Sequence, residues 1–176
     1  MDVFEAIKNR RSIRTFTRQA VSNAQIKKLL EAARQAPSAG NIQPWEFVVV
    51  TDPEIKRGLC EAAGNQNFIQ KAPVVIVVCA NTLRSSRGYG SRGVNLYCLQ
   101  DTAAATQNML LAAHALGLAT CWVGAFEEEE ASKVLKTPTG VRPVAIIPVG
   151  HSALEPKARS RRALNEFVHH ETFENK

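Results

Sequence analysis

Pro73-Val74-Val75-Ile76-Val77-Val78-Cys79-Ala80 is an apolar run with no polar interruption. A strand with one wet face alternates apolar and polar residues. A continuous run instead requires cover on both faces, which helices supply. This stretch therefore sets a sheet between two helical layers, and the flanking sequence has to provide those layers.

Upstream, Trp45-Glu46-Phe47-Val48-Val49-Val50 has strand composition. It leads into Asp52-Pro53-Glu54, an N-cap followed by proline at the first helical position, and a helix to about Ala63 closed by Gly64. Before that, Ser22 and Gln25 form a capping-box pattern, and Ile26, Leu29, Leu30 and Ala33 repeat at helical spacing until Pro37. Asp2 to Asn9 reads as a short amphipathic helix. Downstream come a Gly, Ser and Arg-rich loop from Asn81 to Gly93, a long helix from Asn95 to Leu116 ended by Gly117, and a strand from Ala119 to Val123. A helix from Glu127 to Leu135 and a last strand from Pro143 to Val149 complete the pattern. Four strands alternating with helices argue for an α/β sandwich. Thr102 to Phe126 carries no charge, but Gln107, Asn108, His114 and Gly117 interrupt it, so it reads as a buried helix and not as a membrane span.

At 176 residues, 45% hydrophobic and 22% charged, the chain suits one domain spanning 1–176. From Ser152 it turns polar, and 152–176 reads as an extended C-terminal tail crossing a surface, that of a second subunit. The net charge of +6 suits an anionic cofactor, an anionic substrate or nucleic acid. Cys60, Cys79, Cys98 and Cys121 lie far apart, with no C-x-x-C pair and no histidine at zinc spacing. Neither a metal site nor a disulfide framework is expected, and reduced thiols fit a cytoplasmic protein. Met1 to Glu5 holds two acids and no apolar core of signal-peptide length.

Four segments could carry chemistry. In Arg10-Arg11-Ser12-Ile13-Arg14, alternation along an extended chain points Arg10, Ser12 and Arg14 to one side, presenting two guanidinium forks and a hydroxyl to a phosphate or a planar acceptor edge. A basic run is otherwise a solvated face. The ten residues Ala36 to Trp45 exceed an ordinary connection and offer Ser38, Asn41 and Gln43 as polar groups beside Gly40. Trp122 to Phe126 places small residues where a strand ends and a flat ring could lie against the main chain. Lys157, Arg159, Arg161 and Arg162 form a basic cluster in the tail.

Taken in order, RRSIRTF, APSAGNIQPWEF, APVVIVV, DTAAATQNMLLAAHALGLATCWVGAF and PVGH with the basic tail resemble the FMN-dependent nitroreductase family, from Phe4 to Phe173. The resemblance implies an α+β, three-layer sandwich. Its central sheet is mixed and mostly antiparallel, flanked by helices, with the tail extending onto the partner subunit of a homodimer. It implies FMN as cofactor, NAD(P)H as hydride donor and a small-molecule acceptor such as a nitroaromatic or quinone, in a ping-pong reaction. Arg10 and Ser12 match positions that hold the phosphate and ribityl chain, with Arg11 beside them, and Arg14 matches the cation at the flavin N1 and O2 edge. Arg159 and Arg161 match the C-terminal basic pair on the phosphate. Pro37, Ser38, Ala39 and Asn41 match the loop that reaches across from the other subunit, with Gln43 adjacent. Val123, Gly124 and Ala125 match the backbone near N5 and O4, and Gln66 matches an amide contact to the flavin. No side chain is expected to act as catalytic acid or base, because the flavin carries the chemistry.

The larger members carry an additional helical insertion over the flavin, where this chain has only the loop Asn81 to Gly93. Two rival functions stay open at the level of sequence: another flavin reaction on the same fold, dehalogenation or flavin fragmentation, and a non-enzymatic basic module binding nucleic acid. A flavin-free, structural member of the fold is a third.

Overall fold

The computed structural model describes residues 1–174; 175 and 176, the end of the expected tail, lie outside the described residues. Among the described residues the α-helices and β-strands are α1 (Val3–Asn9), α2 (Asn23–Arg34), β1 (Trp45–Val50), α3 (Pro53–Ala62), α4 (Phe68–Lys71), β2 (Val74–Asn81), α5 (Thr82–Arg92), α6 (Cys98–Ala115), β3 (Ala119–Thr120), α7 (Glu128–Leu135) and β4 (Val141–Gly150). The sheet order is β1-β2-β4-β3. Side chains alternate across β2, so Val74, Ile76 and Val78 pack with α2 and α6 through Leu29, Ala33 and Met109. Val75, Val77 and Cys79 pack on the other face with α3, α4 and α7 through Leu59, Ile69 and Ala131. Val74 to Ala80 is buried throughout, the two-sided cover that the apolar run requires.

Local signals hold where they are strong. Ser22 and Gln25 form the reciprocal capping box of α2, and Asp52 caps α3 by accepting from the Glu54 and Ile55 amides with Pro53 in the first turn.

The sheet is mostly antiparallel, as the resemblance implies, and two other expectations change. Alternation of helix and strand fixes the layers but not the strand direction. The named strands all pair antiparallel, and the mixed character rests on one parallel bridge, Ser12 with Thr120. The stretch from Asn81 to Gly93 is not a loop: Asn81 accepts from the Arg84 amide and starts α5, which kinks at Gly90 (φ 52°) and passes through a π-helical turn, Gly93–Tyr97, into α6. The strand expected over Ala119 to Val123 ends after Thr120. Its register with β4 runs from Thr120–Val149 to a lone bridge at Val123–Ile146, which sets Cys121 opposite Pro148. Proline has no N–H to donate, so the ladder opens there.

The sheet centre dominates stability. Ile147 in β4 is fully buried against the α2 and α6 layer, and Ile147→Ala is expected to cost about 2–5 kcal/mol, read as a shift in the urea midpoint. A loss below about 1 kcal/mol would contradict this packing.

Candidate active site

The N-terminal arm runs beside β3. The Ile13 amide donates to the Thr120 carbonyl (2.8 Å), the Thr17 amide to His151 O (2.9 Å), and the Ala153 amide to Thr15 O (3.0 Å). These bonds lay residues 12–17 between the sheet and the start of the tail. Arg10, Ser12, Arg14, Lys157, Arg159 and Arg161 thereby line one cavity of about 480 Å³, with Glu155 among its walls. Among the described residues none of these cations has an ion-pair partner. Arg11 also lines the cavity, but its guanidinium donates to Lys8 O (2.7 Å) and Arg10 O (2.8 Å), closing the end of α1.

Beneath the arm, burial pushes the Cys121 thiol up, while Arg14, the Ser12 hydroxyl and Arg10 act to lower it. Arg14 continues the site toward α4, its guanidinium carbon 5.8 Å from the Phe68 ring centre. Nearby, Gln66 Nε2 donates to Ala63 O (3.0 Å) and to Ala125 O (3.1 Å). The expected Gln66 is therefore brought to the expected Ala125. Val123 is buried and exchanges both backbone bonds with Ile146. The amides of Gly124 and Ala125 donate to no group among the described residues, and both residues are exposed. The free amides come from the strand's departure at Pro148 and not from a helix terminus, since α7 begins only at Glu128.

The loop after α2 stands elsewhere. Gly40, Asn41 and Gln43 all take left-handed backbone (φ 55°, 54° and 55°), a region that costs non-glycine residues energy and gathers at functional sites. The Gln43 amide donates to Ser38 Oγ (3.0 Å), Gln43 Nε2 donates to Asn41 O and Oδ1, and the Ala39 amide donates to Asp101 Oδ1 (3.0 Å). Pro37 is exposed at its entrance. From α5, Arg84 Nε donates to Ile42 O (2.6 Å), and a Cβ on Gly40 would stand 2.7 Å from the Tyr89 hydroxyl.

Within one chain this loop does not meet the cationic cavity. It enters β1 at one sheet edge, whereas the arm lies beyond β3 at the other, roughly 19 Å away at the usual strand spacing. Along α6, Asp101 holds the loop while His114 faces a second, mostly apolar cavity of about 280 Å³ that shares Arg10 and Arg11; that length of helix rises about 20 Å.

Asp101 went unread in the sequence, although it is the last charge before the uncharged stretch from Thr102 to Phe126. It is 6% exposed, and its Oδ2 has no hydrogen-bond partner. Burial pushes its carboxyl above the ordinary value of 3.8, while the Ala39 amide acts to lower it. A carboxyl raised on folding contributes stability below its unfolded value and loses it as the pH rises through its folded value. The melting-temperature difference between Asp101→Asn and the parent is therefore expected to shift in favour of the variant as the pH rises from near 3.8 to 7; a shift in favour of the parent would contradict it.

A protein-family model described as "Nitroreductase family" matches residues 7–67 and 60–151. The FMN reductase (NADPH) of Bacillus subtilis is 33% identical over 187 aligned positions, covering 99% of this chain and 75% of the relative. Among solved structures, the NfrA1 nitroreductase from B. subtilis superposes with a TM-score of 0.89 at 32% identity, covering 98% of this chain and 75% of that one. The NADPH:FMN oxidoreductase from Vibrio harveyi complexed with NAD⁺ gives 0.90 at 26% identity, with coverages of 97% and 77%.

Proposed function

The chain belongs to the nitroreductase family, and we propose that it is an FMN-dependent oxidoreductase. It takes hydride from NAD(P)H and passes the electrons to a nitroaromatic, quinone or similar small-molecule acceptor in a ping-pong reaction. The observation that carries this reading is the convergence of the opening basic segment and the basic tail on one cavity.

The residues present fit FMN. At about 480 Å³ the cavity lies within the roughly 300–1,000 Å³ of cofactor sites. Its donors are mainly guanidiniums and an ammonium, which suit a phosphate, and mutual repulsion among them is relieved by an anion. Arg10, Ser12, Arg159 and Arg161 would hold the phosphate and ribityl chain, with Lys157 adding charge. Arg14, braced over Phe68, would set a fixed cation beside the ring system, where it favours negative charge. Gly124 and Ala125 would turn free amides toward the ring, and Gln66 would hold that segment through Ala125 O. FMN, when bound, supplies the two-electron acceptor and donor that no side chain here provides.

A homodimer completes the site. Ser38, Ala39, Asn41 and Gln43 of the partner subunit would supply the wall that a single chain leaves some 20 Å away. Apolar side chains in α1 and the tail support the same reading, with Phe4 80% and Phe173 88% exposed in the single chain. The described part of the tail, 152–174, would then embrace the second subunit. Among the described residues no helix is long and apolar enough to cross a membrane. Four free thiols support a reducing compartment, and with it a cytoplasmic location.

Purified protein supplied with FMN is expected to oxidise NADH or NADPH and to reduce a nitro or quinone acceptor. Failure both to bind FMN and to oxidise either nucleotide defeats the proposal. Arg161→Ala is expected to weaken FMN binding roughly tenfold to a hundredfold, the range for a charged hydrogen bond. Arg14→Ala is expected mainly to lower the flavin potential and slow reduction by NAD(P)H. Equal loss of FMN affinity in both variants at unchanged potential would overturn that division of roles.

A further inference from the structure

We propose that Asp101 is a positioning residue for the cofactor site: it touches no ligand but fixes the left-handed loop 38–43 through the Ala39 amide. The inference rests on the reading above, in which that loop forms the partner-side wall of the FMN site. Three of its residues, Gly40, Asn41 and Gln43, hold positive φ, two of them without the freedom of glycine. Such a conformation persists only where the surroundings over-determine it. Most of the polar contacts inside the loop are its own, Gln43 N–H to Ser38 Oγ and Gln43 Nε2 to Asn41, and these close the turn without placing it.

Placement comes from outside. Arg84 Nε reaches Ile42 O from α5, an exposed side chain on a kinked helix. Asp101 Oδ1 receives the Ala39 N–H at 3.0 Å from the first turn of α6, a helix packed into the core through Ala105, Met109 and Ala113. The second tie is half-buried, whereas the first is exposed. A carboxyl is a costly choice for accepting one amide: Asp101 is 6% exposed, and its second oxygen is buried with no donor in reach. Removing the acceptor would strand the Ala39 N–H and release the loop from α6 while leaving the cationic cavity, at the far end of that helix, untouched.

The test titrates FMN into apoprotein by flavin fluorescence for the parent, Asp101→Ala, Asp101→Asn and Arg161→Ala, with hydrogen exchange at residues 38–43 in the same apoproteins. Asp101→Ala is expected to weaken FMN about tenfold and to speed exchange of the Ala39 amide. Asp101→Asn, whose side-chain oxygen can accept the same N–H, is expected to restore most of both. FMN affinity within about twofold of the parent in Asp101→Ala, or equal loss in both Asp101 variants alongside equal loss of melting temperature, would assign Asp101 to folding alone and overturn the proposal. A parent protein that binds no FMN would defeat the flavin reading instead. The exchange data would then still decide this one, since unchanged protection of Ala39 in Asp101→Ala overturns it.

Discussion

Three backbone hydrogen bonds hold the N-terminal arm to the sheet and to the start of the tail: Ile13 to Thr120, Thr17 to His151 and Ala153 to Thr15. The site depends on them. They bring guanidiniums from the first fifteen residues and from the last twenty into one cavity, a gathering of like charges that opposes folding. The sandwich beneath, with its central strand buried on both faces, supplies the stability that tolerates this cluster. A cofactor phosphate would relieve it, so affinity for an anion and strain in its absence share one origin.

A single imino acid links the core to the other half of the site. Pro148 lies in β4 opposite Cys121, where it cannot continue the ladder. The chain leaves the sheet after Thr120 and rejoins it only at Val123, and beyond that bridge Gly124 and Ala125 are free to face a ligand. Gln66 then fixes the escaped segment through Ala125 O. The backbone freedom a flat ring system requires is thus built into the strand pairing and not left to a flexible loop.

Much of this was legible because its causes are local. The capping box of Ser22 and Gln25, the Asp52-Pro53 start of α3 and the β1 strand need only neighbouring residues, and each element stands where those signals set it. The unbroken run of β2 announced its two covering layers. Elements held by distant contacts were not legible. Helix α5, rich in Gly and Ser, gains its shape from packing of Tyr89, Gly88 and Arg84 on the loop after α2, and the early end of β3 depends on a proline far along the chain. Periodicity could suggest that Arg10, Ser12 and Arg14 share a side, but not that Arg159 and Arg161 would face them; the family resemblance carried that expectation. Asp101 escaped because a single acid within a long helix carries no local sign of a distant partner, and only the fold shows that it holds a loop from another part of the chain.

In the proposed function, the two basic segments and the freed backbone of Gly124 and Ala125 would hold FMN that NAD(P)H can reduce. The visible absorbance of the purified protein, reconstituted with FMN and freed of excess, before and after anaerobic addition of NADH or NADPH, tests it most directly. Flavin bands are expected to stay with the protein and to bleach on addition of the nucleotide. A protein that remains colourless after reconstitution would contradict it, and the cationic cavity would then belong to a different anion.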